Sequence, residues 1–308
     1  MTGTVIKVFG KFFTIEHNGL RYSSVLRGKM RRDKQLDIYT EAVAVGDVVE
    51  FKLGNEETGA IEQVHKRKNV FTRKYKGGDR QDLIASNLDQ LVVIQSFNKP
   101  RLNQRFVDRL LVRGNKEGIP QLLCVNKLDL AGDDDRKNIY SYYKGYDLDI
   151  IMVSAKTGER LEDLKSRLSG KLSILIGNSG VGKTSILNSL YPGLGLETRE
   201  ISERTGKGRH TTTNVEMLCL EQNTRIVDTP GLREFGLADI EPHELGVYFM
   251  EFKRYIGFCD FSPCTHDHEP GCEVKRQVAE GSLSEERYIS YLNILYSLKN
   301  DYNDRYRS

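Results

Sequence analysis

The residues best suited to chemistry lie in a glycine-rich loop near the middle of the chain, Gly177-Asn178-Ser179-Gly180-Val181-Gly182-Lys183-Thr184. An apolar run, 172–176, precedes this loop and a helical pattern from Ser185 follows it, which predicts strand, loop and helix. Glycines allow backbone N–H groups to surround a phosphate chain, while Lys183 can reach the outer phosphates and Thr184 can bind magnesium. Because every fixed position of G-x-x-x-x-G-K-[ST] is filled, the pattern favours a nucleoside triphosphate site over an ordinary turn.

Two strand ends carry side chains that can recognise a base. The run 122–125 ends in Asn126-Lys127-Leu128-Asp129, and the run 149–153 ends in Ser154-Ala155-Lys156. The Asp129 carboxylate can accept from the ring N–H and the exocyclic amine of guanine, a pair of donors that adenine lacks. Neither motif is specific alone, but together with the glycine loop they indicate GTP in preference to ATP.

The segment after the phosphate loop has the composition of a switch. Residues 197–214 are polar, rich in threonine and punctuated by glycine, and a short strand then runs into Asp228-Thr229-Pro230-Gly231. Asp228 can hold magnesium through water, and the Gly231 N–H can meet the γ-phosphate, which is how hydrolysis is sensed.

The sequence lacks the glutamine that often orients the attacking water in related GTPases. Leu232 stands where related switches often have glutamine, so we predict that His210 orients the water once its loop is ordered. One residue of Thr211 to Thr213 would complete the magnesium shell. The alternative is that His210 is an ordinary surface histidine.

Three of the five cysteines cluster near the C-terminus. Cys259, Cys264 and Cys272 lie beside His266 in the spacing C-x4-C-x-H-x5-C, which offers three thiolates and one imidazole. This set favours a structural zinc over disulfides, free thiols or a catalytic metal, because four protein ligands leave no open position. His268 is the rival ligand, and we interpret it as a surface residue.

The N-terminal part predicts a small barrel that binds RNA. Short strands are predicted at 3–8, 12–16, 43–51 and 60–64, and such closed barrels of the OB kind commonly hold oligonucleotides. The net charge of +3 is uninformative, but five cations and one acid lie in Arg27-Gly28-Lys29-Met30-Arg31-Arg32-Asp33-Lys34. Further cations at 66–68 and 73–76 favour a phosphate-binding surface over a merely solvated loop. The predicted RNA-binding residues are Arg27, Lys29, Arg31, Arg32 and Lys34.

The elements that position these residues alternate between strand and helix, which is typical of an α/β sheet. A polar link through Gly77-Gly78 precedes them. The predicted strands are 91–95, 122–125, 149–153, 172–176, 214–221 and 224–227, and the predicted helices are 105–113, 134–143, 161–168 and 185–190.

The C-terminal part is predicted to be mainly helical. Residues 242–255 have helical spacing, and a final helix is expected to begin at a Ser282 cap with Glu285 three residues on. The side chains predicted to face the core are Leu245, Phe249, Phe252, Tyr288, Leu292, Leu295 and Tyr296.

The order of the motifs is circularly permuted. Common GTPases place the phosphate loop first, whereas here the N-K-x-D and S-A-K motifs precede it. Together with the leading barrel, the sequence Gly-Arg-His-Thr-Thr-Thr at 208–213 and the cysteine and histidine spacing, this order resembles the ribosome small-subunit-dependent GTPase A (RsgA) family over essentially the whole chain. The resemblance implies a GTP hydrolase that binds the small ribosomal subunit, is stimulated by it and acts in its late maturation.

The permutation also has a mechanical interpretation. Ending the switch strand at Asp228 to Gly231 places a γ-phosphate-dependent shift at the head of the following domain. The alternative is that the permutation is silent topology.

We therefore expect an OB-type barrel (1–70), a permuted GTPase domain (71–235) and a zinc-binding domain with a C-terminal helix (236–308). The expected cofactors are one structural zinc and magnesium with GTP, and the expected partners are the small subunit and its rRNA. No apolar stretch approaches the length of a membrane span, so we expect a soluble cytoplasmic monomer. Two other functions stay open, a P-loop kinase and an RNA-binding module that uses GTP as a structural ligand.

Overall fold

The computed structural model describes residues 1–27, 38–54, 58–75, 80–196, 215–229, 235–237 and 239–307, with backbone alone for 301–307. The strands are β1 (Thr2–Phe9), β2 (Phe12–His17), β3 (Leu20–Leu26), β4 (Val48–Leu53), β5 (Gly59–Val64), β6 (Val70–Lys74), β7 (Gln81–Ser86), β8 (Gln90–Ser96), β9 (Gln121–Asn126), β10 (Asp149–Met152), β11 (Leu172–Ile176), β12 (Val215–Cys219) and β13 (Arg225–Asp228). The α-helices are α1 (Gln104–Lys116), α2 (Asp133–Tyr142), α3 (Leu161–Leu168), α4 (Lys183–Leu190), α5 (Glu273–Ala279) and α6 (Glu285–Arg307).

The first five strands close into the predicted OB-type barrel. Their order is β1-β2-β3-β5-β4, and a further pairing of β4 with β1 closes the sheet. Val5, Ile15, Phe51 and Ile61 fill the interior, so the apolar alternation seen in the sequence faces inward.

Two details of the barrel differ from the sequence prediction. Strand β3 was missed because the polar Ser24 stands between Tyr22 and Leu26 on its inward face, so the apolar alternation is interrupted. The strand predicted from residue 43 begins at Val48, since Gly46 has a positive φ of 94° and turns the chain.

The second part of the sheet is the predicted α/β unit. Its strand order is β10-β9-β8-β11-β13-β12, with parallel pairing throughout except for β12 at the edge. Strand β12 pairs on its other side with β1, through Lys7 opposite Glu216 and Val8 opposite Val215. The barrel and the α/β sheet are therefore hydrogen-bonded into one continuous sheet.

A separate hairpin, β6 and β7, lies between the two parts where the sequence predicted a polar link. The barrel attaches to β7 through Asp47, whose buried carboxylate accepts from Arg67 Nε at 2.7 Å and from Ser86 Oγ at 2.6 Å. Arg67 belongs to a cluster predicted to contact RNA, but its guanidinium is committed to Asp47 and to the Ala42 carbonyl at 2.8 Å.

The C-terminal part contains less α-helix than predicted. The stretch predicted as one helix forms two 3-10 segments, Pro242–Tyr248 and Met250–Phe252. Helix α6 is preceded by Ser284 rather than capped by Ser282, since the Ser284 Oγ accepts the Arg287 N–H at 3.3 Å. None of the helices in the described part of the chain combines the length and apolar character needed to cross a bilayer.

The inward face of α6 was only partly predicted. Leu295 is buried as expected, but Tyr296 is 46% exposed and points away from the core. The fully or nearly fully buried residues that the periodicity missed are Arg287, Ser290, Tyr291, Ile294 and Leu298.

A buried arginine joins α6 to the α/β unit. The Arg287 guanidinium bonds to Glu251 Oε1 at 2.6 Å and to Asp108 Oδ1 on α1, and it lies 4.6 Å from the centre of the Phe249 ring. All three ionisable side chains are no more than 2% exposed. One apolar core continues from α1 across to Tyr291, so residues on both sides of position 235 are packed together.

Replacing Arg287 tests this junction. Arg287→Ala leaves the Asp108 and Glu251 carboxylates buried without a cation, so it should lower the free energy of unfolding by about 3–5 kcal/mol. Denaturation followed by far-ultraviolet circular dichroism measures this, because the chain has no tryptophan. Arg276→Ala, which breaks a solvent-screened pair with Glu273, should leave the unfolding transition almost unchanged. Equal small losses for both variants would contradict the importance of the junction.

Candidate nucleotide and metal sites

The glycine loop joins β11 to α4, as predicted, and its glycines are required by close contacts. A Cβ on Gly177 would lie 2.2 Å from the Ile94 carbonyl oxygen, and one on Gly182 would lie 2.3 Å from the Asn126 Nδ2. Gly180 and Gly182 also have positive φ values of 78° and 92°. Only glycine allows the loop to follow this path beside the neighbouring strand ends.

The loop lysine folds back onto its own backbone. Lys183 Nζ donates to the Gly177 carbonyl at 2.5 Å and to the Asn178 carbonyl at 3.3 Å. Burial lowers the pKa of Lys183, although the nearby Asp228 carboxylate opposes the shift. Burial likewise raises the pKa of Asp228, against the effect of Lys183. The buried Asn178 Oδ1 has no hydrogen-bond partner among the described residues. The Lys183 ammonium and the Asp228 carboxylate are thus both largely removed from water at the glycine loop, where a phosphate and a metal ion could compensate their charges.

The side chain of Asn126 connects the phosphate loop to the predicted base site. Asn126 is 2% exposed, and its Nδ2 donates to the Val181 carbonyl at 2.9 Å while its Oδ1 accepts from the Ala155 N–H at 3.0 Å. Lys127 adds a second tie, since its Nζ donates to the Gly180 carbonyl at 2.8 Å. The sequence located both residues but did not predict this bridge.

The remaining predicted base-site residues lie together on the same edge of the sheet. Asp129 Oδ1 accepts from Ser154 Oγ at 2.6 Å, and Lys156 Nζ lies 4.0 Å from the other carboxylate oxygen. Ser154 is fully buried whereas the Lys156 side chain is 82% exposed. The structure therefore brings the N-K-x-D, S-A-K and glycine-loop motifs to one site, although they are separate in sequence.

The cysteine and histidine cluster is assembled as predicted. One ligand atom from each of Cys259, Cys264, His266 and Cys272 lies within 4.8 Å of the others, an arrangement that could hold a metal ion. His266 Nδ1 is 3.4 Å from Cys272 Sγ and 3.6 Å from Cys259 Sγ. Burial raises the pKa of the Cys272 thiol and lowers the pKa of His266. His268, the rival ligand, has a side chain 77% exposed and lies outside the cluster.

A carboxylate that the sequence did not single out builds the turn between these ligands. Glu269 accepts from the Thr265 N–H at 2.8 Å, from the Thr265 hydroxyl at 2.7 Å and from the Asp267 N–H at 3.0 Å. Burial opposes ionisation of Glu269, but these hydrogen bonds outweigh it and lower its pKa to about 2. A lone glutamate between ligand positions carries no sequence signal that could have revealed this role.

Several predicted functional residues lie outside the described residues. They are Lys29, Arg31, Arg32, Lys34, His210, Thr211, Thr212, Thr213 and Gly231. Of the predicted RNA-binding set, Arg27 is described, and its guanidinium, 62% exposed, pairs with Glu62 on the barrel surface.

In the sheet, β10 lies beside β9 and β9 beside β8, while β11 lies on the other side of β8. The guanine and phosphate motifs therefore meet at one edge of the sheet despite their inverted order in the chain. This fold and site define a circularly permuted P-loop GTPase with an OB-type barrel and a C-terminal cysteine and histidine cluster. The chain belongs to the RsgA GTPase family, since the family model RsgA GTPase matches residues 64–238 and the model RsgA N-terminal domain matches residues 2–61. The resemblance inferred from the motifs is thereby confirmed.

Relatives and solved structures agree with this assignment. The protein from Chlorobaculum tepidum named Small ribosomal subunit biogenesis GTPase RsgA is 38% identical over 97% of this chain and 98% of its own length. A protein of the same name from Chlorobaculum parvum is 42% identical over 83% of this chain and 85% of its own. The crystal structure of YjeQ from Thermotoga maritima matches with a TM-score of 0.75 at 33% identity, over 96% of this chain and 98% of that chain. YloQ, described as a circularly permuted GTPase, matches with a TM-score of 0.72 at 27% identity, over 97% and 95%.

Removing the Asn126 side chain tests the bridge between the two halves of the site. Asn126→Ala leaves the Val181 carbonyl and the Ala155 N–H unpaired, at about 1–3 kcal/mol for each buried group. We expect GDP and GTP to bind at least about tenfold more weakly in a fluorescent-nucleotide titration, because the loop and the base site lose their fixed spacing. Asn98→Ala removes only a local bond to the Lys99 N–H and should leave affinity unchanged. Unaltered binding by Asn126→Ala would show that the bridge is dispensable.

Proposed function

We propose that this protein hydrolyses GTP in late maturation of the small ribosomal subunit, and that the subunit stimulates hydrolysis. In this proposal the nucleotide state controls binding to the subunit and release from it. The observation that carries the proposal is the convergence of the three nucleotide motifs on one sheet edge, continuous with an OB-type barrel. The names of the relatives, small ribosomal subunit biogenesis GTPases, support the choice of partner.

The geometry of the site supports the following nucleotide roles. Asp129, oriented by Ser154, would accept the guanine donors, with Ala155 and Lys156 at the base edge. Lys183 would exchange the two loop carbonyls for phosphate oxygens, which compensate its charge better. The loop N–H groups from Gly177 to Ser185 would surround the phosphates.

The residues also fit a magnesium ion bound with GTP, which neutralises developing charge on the β- and γ-phosphates. Thr184 would bind this ion directly, and Asp228, at the end of β13, would hold it through water. The raised pKa of Asp228 has burial as its main cause, and a nearby dication would favour the ionised form. Gly231 would report the γ-phosphate, and His210 would orient the attacking water.

The outlying parts would hold the ribosome. Arg27, Lys29, Arg31, Arg32 and Lys34 would neutralise rRNA phosphates from the barrel. One zinc ion at the cysteine and histidine cluster would stabilise the C-terminal part, because three thiolates and one imidazole suit a closed tetrahedral site. The functional units would be a barrel (1–70), a GTPase domain (71–235) and a zinc-binding domain (236–308), in a cytoplasmic monomer.

The direct test combines turnover with binding. GTP hydrolysis is measured with and without purified small ribosomal subunits, and co-sedimentation is measured in GDP, GTP and a non-hydrolysable GTP analogue. We expect faster turnover with subunits and nucleotide-dependent co-sedimentation. Absence of turnover even with subunits would instead support a module that uses GTP as a structural ligand, and turnover that needs a separate phosphate acceptor would indicate a kinase.

The base contact has its own test. Asp129→Asn presents an amide N–H where the carboxylate accepts a donor, so GTP affinity should fall and xanthine nucleotides should compete. Competition binding with GTP and XTP measures the shift. Asp133→Asn, a neighbouring exposed carboxylate, should leave the preference for GTP unchanged. An unchanged preference in Asp129→Asn would remove Asp129 from the base site.

The zinc assignment predicts both a metal content and a structural effect. Freshly purified protein should contain one zinc per chain, and Cys264→Ser should lose it and lower the thermal midpoint, because bound zinc contributes folding free energy. Zinc should also be released as the pH falls, since protons compete for the thiolates. Cys219→Ser, at an exposed cysteine away from the cluster, should keep the metal. Freshly purified protein without zinc would contradict the assignment.

The water-orienting role of His210 predicts a loss confined to catalysis. His210→Ala should keep GTP affinity, lose at least about 10²-fold of subunit-stimulated turnover and accumulate on the subunit with GTP. His243→Ala, an exposed histidine of the C-terminal part, is the matched control and should turn over normally. A loss below about threefold in stimulated kcat/KM, with normal subunit saturation, would show that His210 does not orient the water.

A further inference from the structure

Both predicted switch segments rejoin the described chain next to the barrel. The first rejoins at Val215, which begins β12 and pairs with Val8 of barrel strand β1. The second rejoins at Phe235, whose ring lies 5.4 Å from that of Phe71 on β6. The two exits therefore contact strands that belong to the barrel or to the hairpin attached to it.

The second exit is connected to the barrel by a short series of backbone contacts. The Gly236 carbonyl accepts from the Lys74 N–H at 3.1 Å, and Lys74 pairs with Gln81 across the hairpin. Gln81 in turn donates its N–H to the Ile38 carbonyl at 2.9 Å and accepts from the Thr40 N–H at 2.9 Å. Residues 38–40 thus extend the β6–β7 sheet, and Ile38 comes four residues after Lys34, the last residue of the basic segment proposed to bind rRNA.

Side chains reinforce this connection. Asp82 on β7 accepts from Arg73 Nε on β6 at 2.9 Å and from Thr40 Oγ1 at 3.1 Å. The backbone of Gly236 also lies so close to β6 that a Cβ there would be 3.1 Å from Lys74 Cβ. A displacement of Phe235 and Gly236 would therefore move β6 and, through the pairing of β6 with β7, residues 38–40.

The chain beyond this point is held by charges on α1. Asp239 accepts from the fully buried Arg113 Nη2 at 2.8 Å and lies 2.9 Å from Lys116 Nζ. The following C-terminal part is fixed to the same helix by the buried Arg287 between Asp108 and Glu251. Asp239 is itself exposed, but breaking the buried Arg287 pairs is far more costly than shifting one backbone hydrogen bond and a ring contact.

We propose that the conformational change that depends on the bound nucleotide is transmitted from the GTPase site through the β6–β7 hairpin to the basic segment of the barrel. It is not transmitted to the zinc-binding part. This inference rests on the proposed function, in which Gly231, four residues before Phe235, senses the γ-phosphate. It differs from the sequence-based interpretation, in which the permutation passes the shift on to the C-terminal domain. The contact of Phe235–Gly236 with β6 is the one that would shift, because the C-terminal part is fixed to α1 by the buried Arg287.

The same coupling must operate in reverse. If the γ-phosphate biases residues 38–40, then RNA bound at the adjoining basic segment biases the switch exit by an equal free energy. Binding of an rRNA phosphate backbone to the barrel would thereby favour the hydrolytic arrangement of the switch without contacting the nucleotide.

Hydrogen exchange of the full-length protein tests the route directly, because the Thr40 and Gln81 amides are themselves links in it. Exchange is compared in saturating GDP and in a saturating non-hydrolysable GTP analogue. We expect the two states to differ at least about threefold in exchange rate at residues 38–42 and 80–83, with no difference across 285–298. A nucleotide-dependent change across 285–298 without one at 38–42 would overturn the proposal.

Two variants make the route specific. Lys74→Pro removes the N–H that Gly236 accepts from, at the outer edge of the hairpin where proline is tolerated, and Lys74→Ala keeps it. The proline variant should abolish the difference at 38–42 while the alanine variant retains it, with equal nucleotide affinity in both. Equal differences in the two variants would overturn the proposal. If the proline variant does not fold, Phe235→Leu, which removes the ring contact with Phe71, should reduce the same difference, and no reduction would also overturn it.

These outcomes are separable from failure of the proposed function. Protein that binds no guanine nucleotide, or that never turns over GTP with small subunits, would refute the function itself. Normal binding and stimulated turnover without nucleotide-dependent exchange at 38–42 would refute the hairpin route alone.

Discussion

The carboxamide of Asn126 is the contact on which the nucleotide site depends. In a permuted chain the phosphate loop and the base motifs are made by segments that do not follow one another, so their spacing must be set by tertiary contacts. Asn126 sets it with one donated and one accepted hydrogen bond, from the end of β9 to Val181 and to Ala155. Because the amide is buried, neither bond is weakened by competing water.

Buried charges hold the larger parts together in a comparable way. Asp47 with Arg67 fixes the barrel to the hairpin, and Arg287 with Asp108 and Glu251 fixes α6 to α1. Apolar packing alone tolerates small rotations, whereas a buried ion pair is favourable only in a narrow geometry. Contacts that contain a buried ion pair are therefore expected to stay fixed, whereas contacts made by apolar packing or single backbone hydrogen bonds can shift.

This division has a functional consequence. The C-terminal part and α1 share one apolar core, so the cysteine and histidine cluster is attached to the α/β unit that contains the nucleotide motifs. The barrel is attached through strand pairing and the β6–β7 hairpin, next to both switch exits. If the barrel binds rRNA and the C-terminal part holds zinc, as proposed, the protein could stay bound to the subunit while its nucleotide state changes.

The sequence by itself determined the features whose information is local. The glycine loop, the guanine motifs, the cysteine and histidine spacing, the buried strands of the α/β sheet and their permuted order all depend on a few neighbouring residues or on an apolar run, and the structure assembles them as expected. Only the tertiary structure decided features that depend on distant partners. Strand β3 has the polar Ser24 in the middle of its inward face, and it forms because β2 and β5 pair with it. Likewise, Arg67 pairs with Asp47 inside the protein, although its cluster was predicted to contact RNA. Arg287 lies in the core because the carboxylates that compensate its charge come from residues remote in the chain. Periodicity and motif spacing are blind to such long-range compensation, since its free energy arises only when folding removes both partners from water.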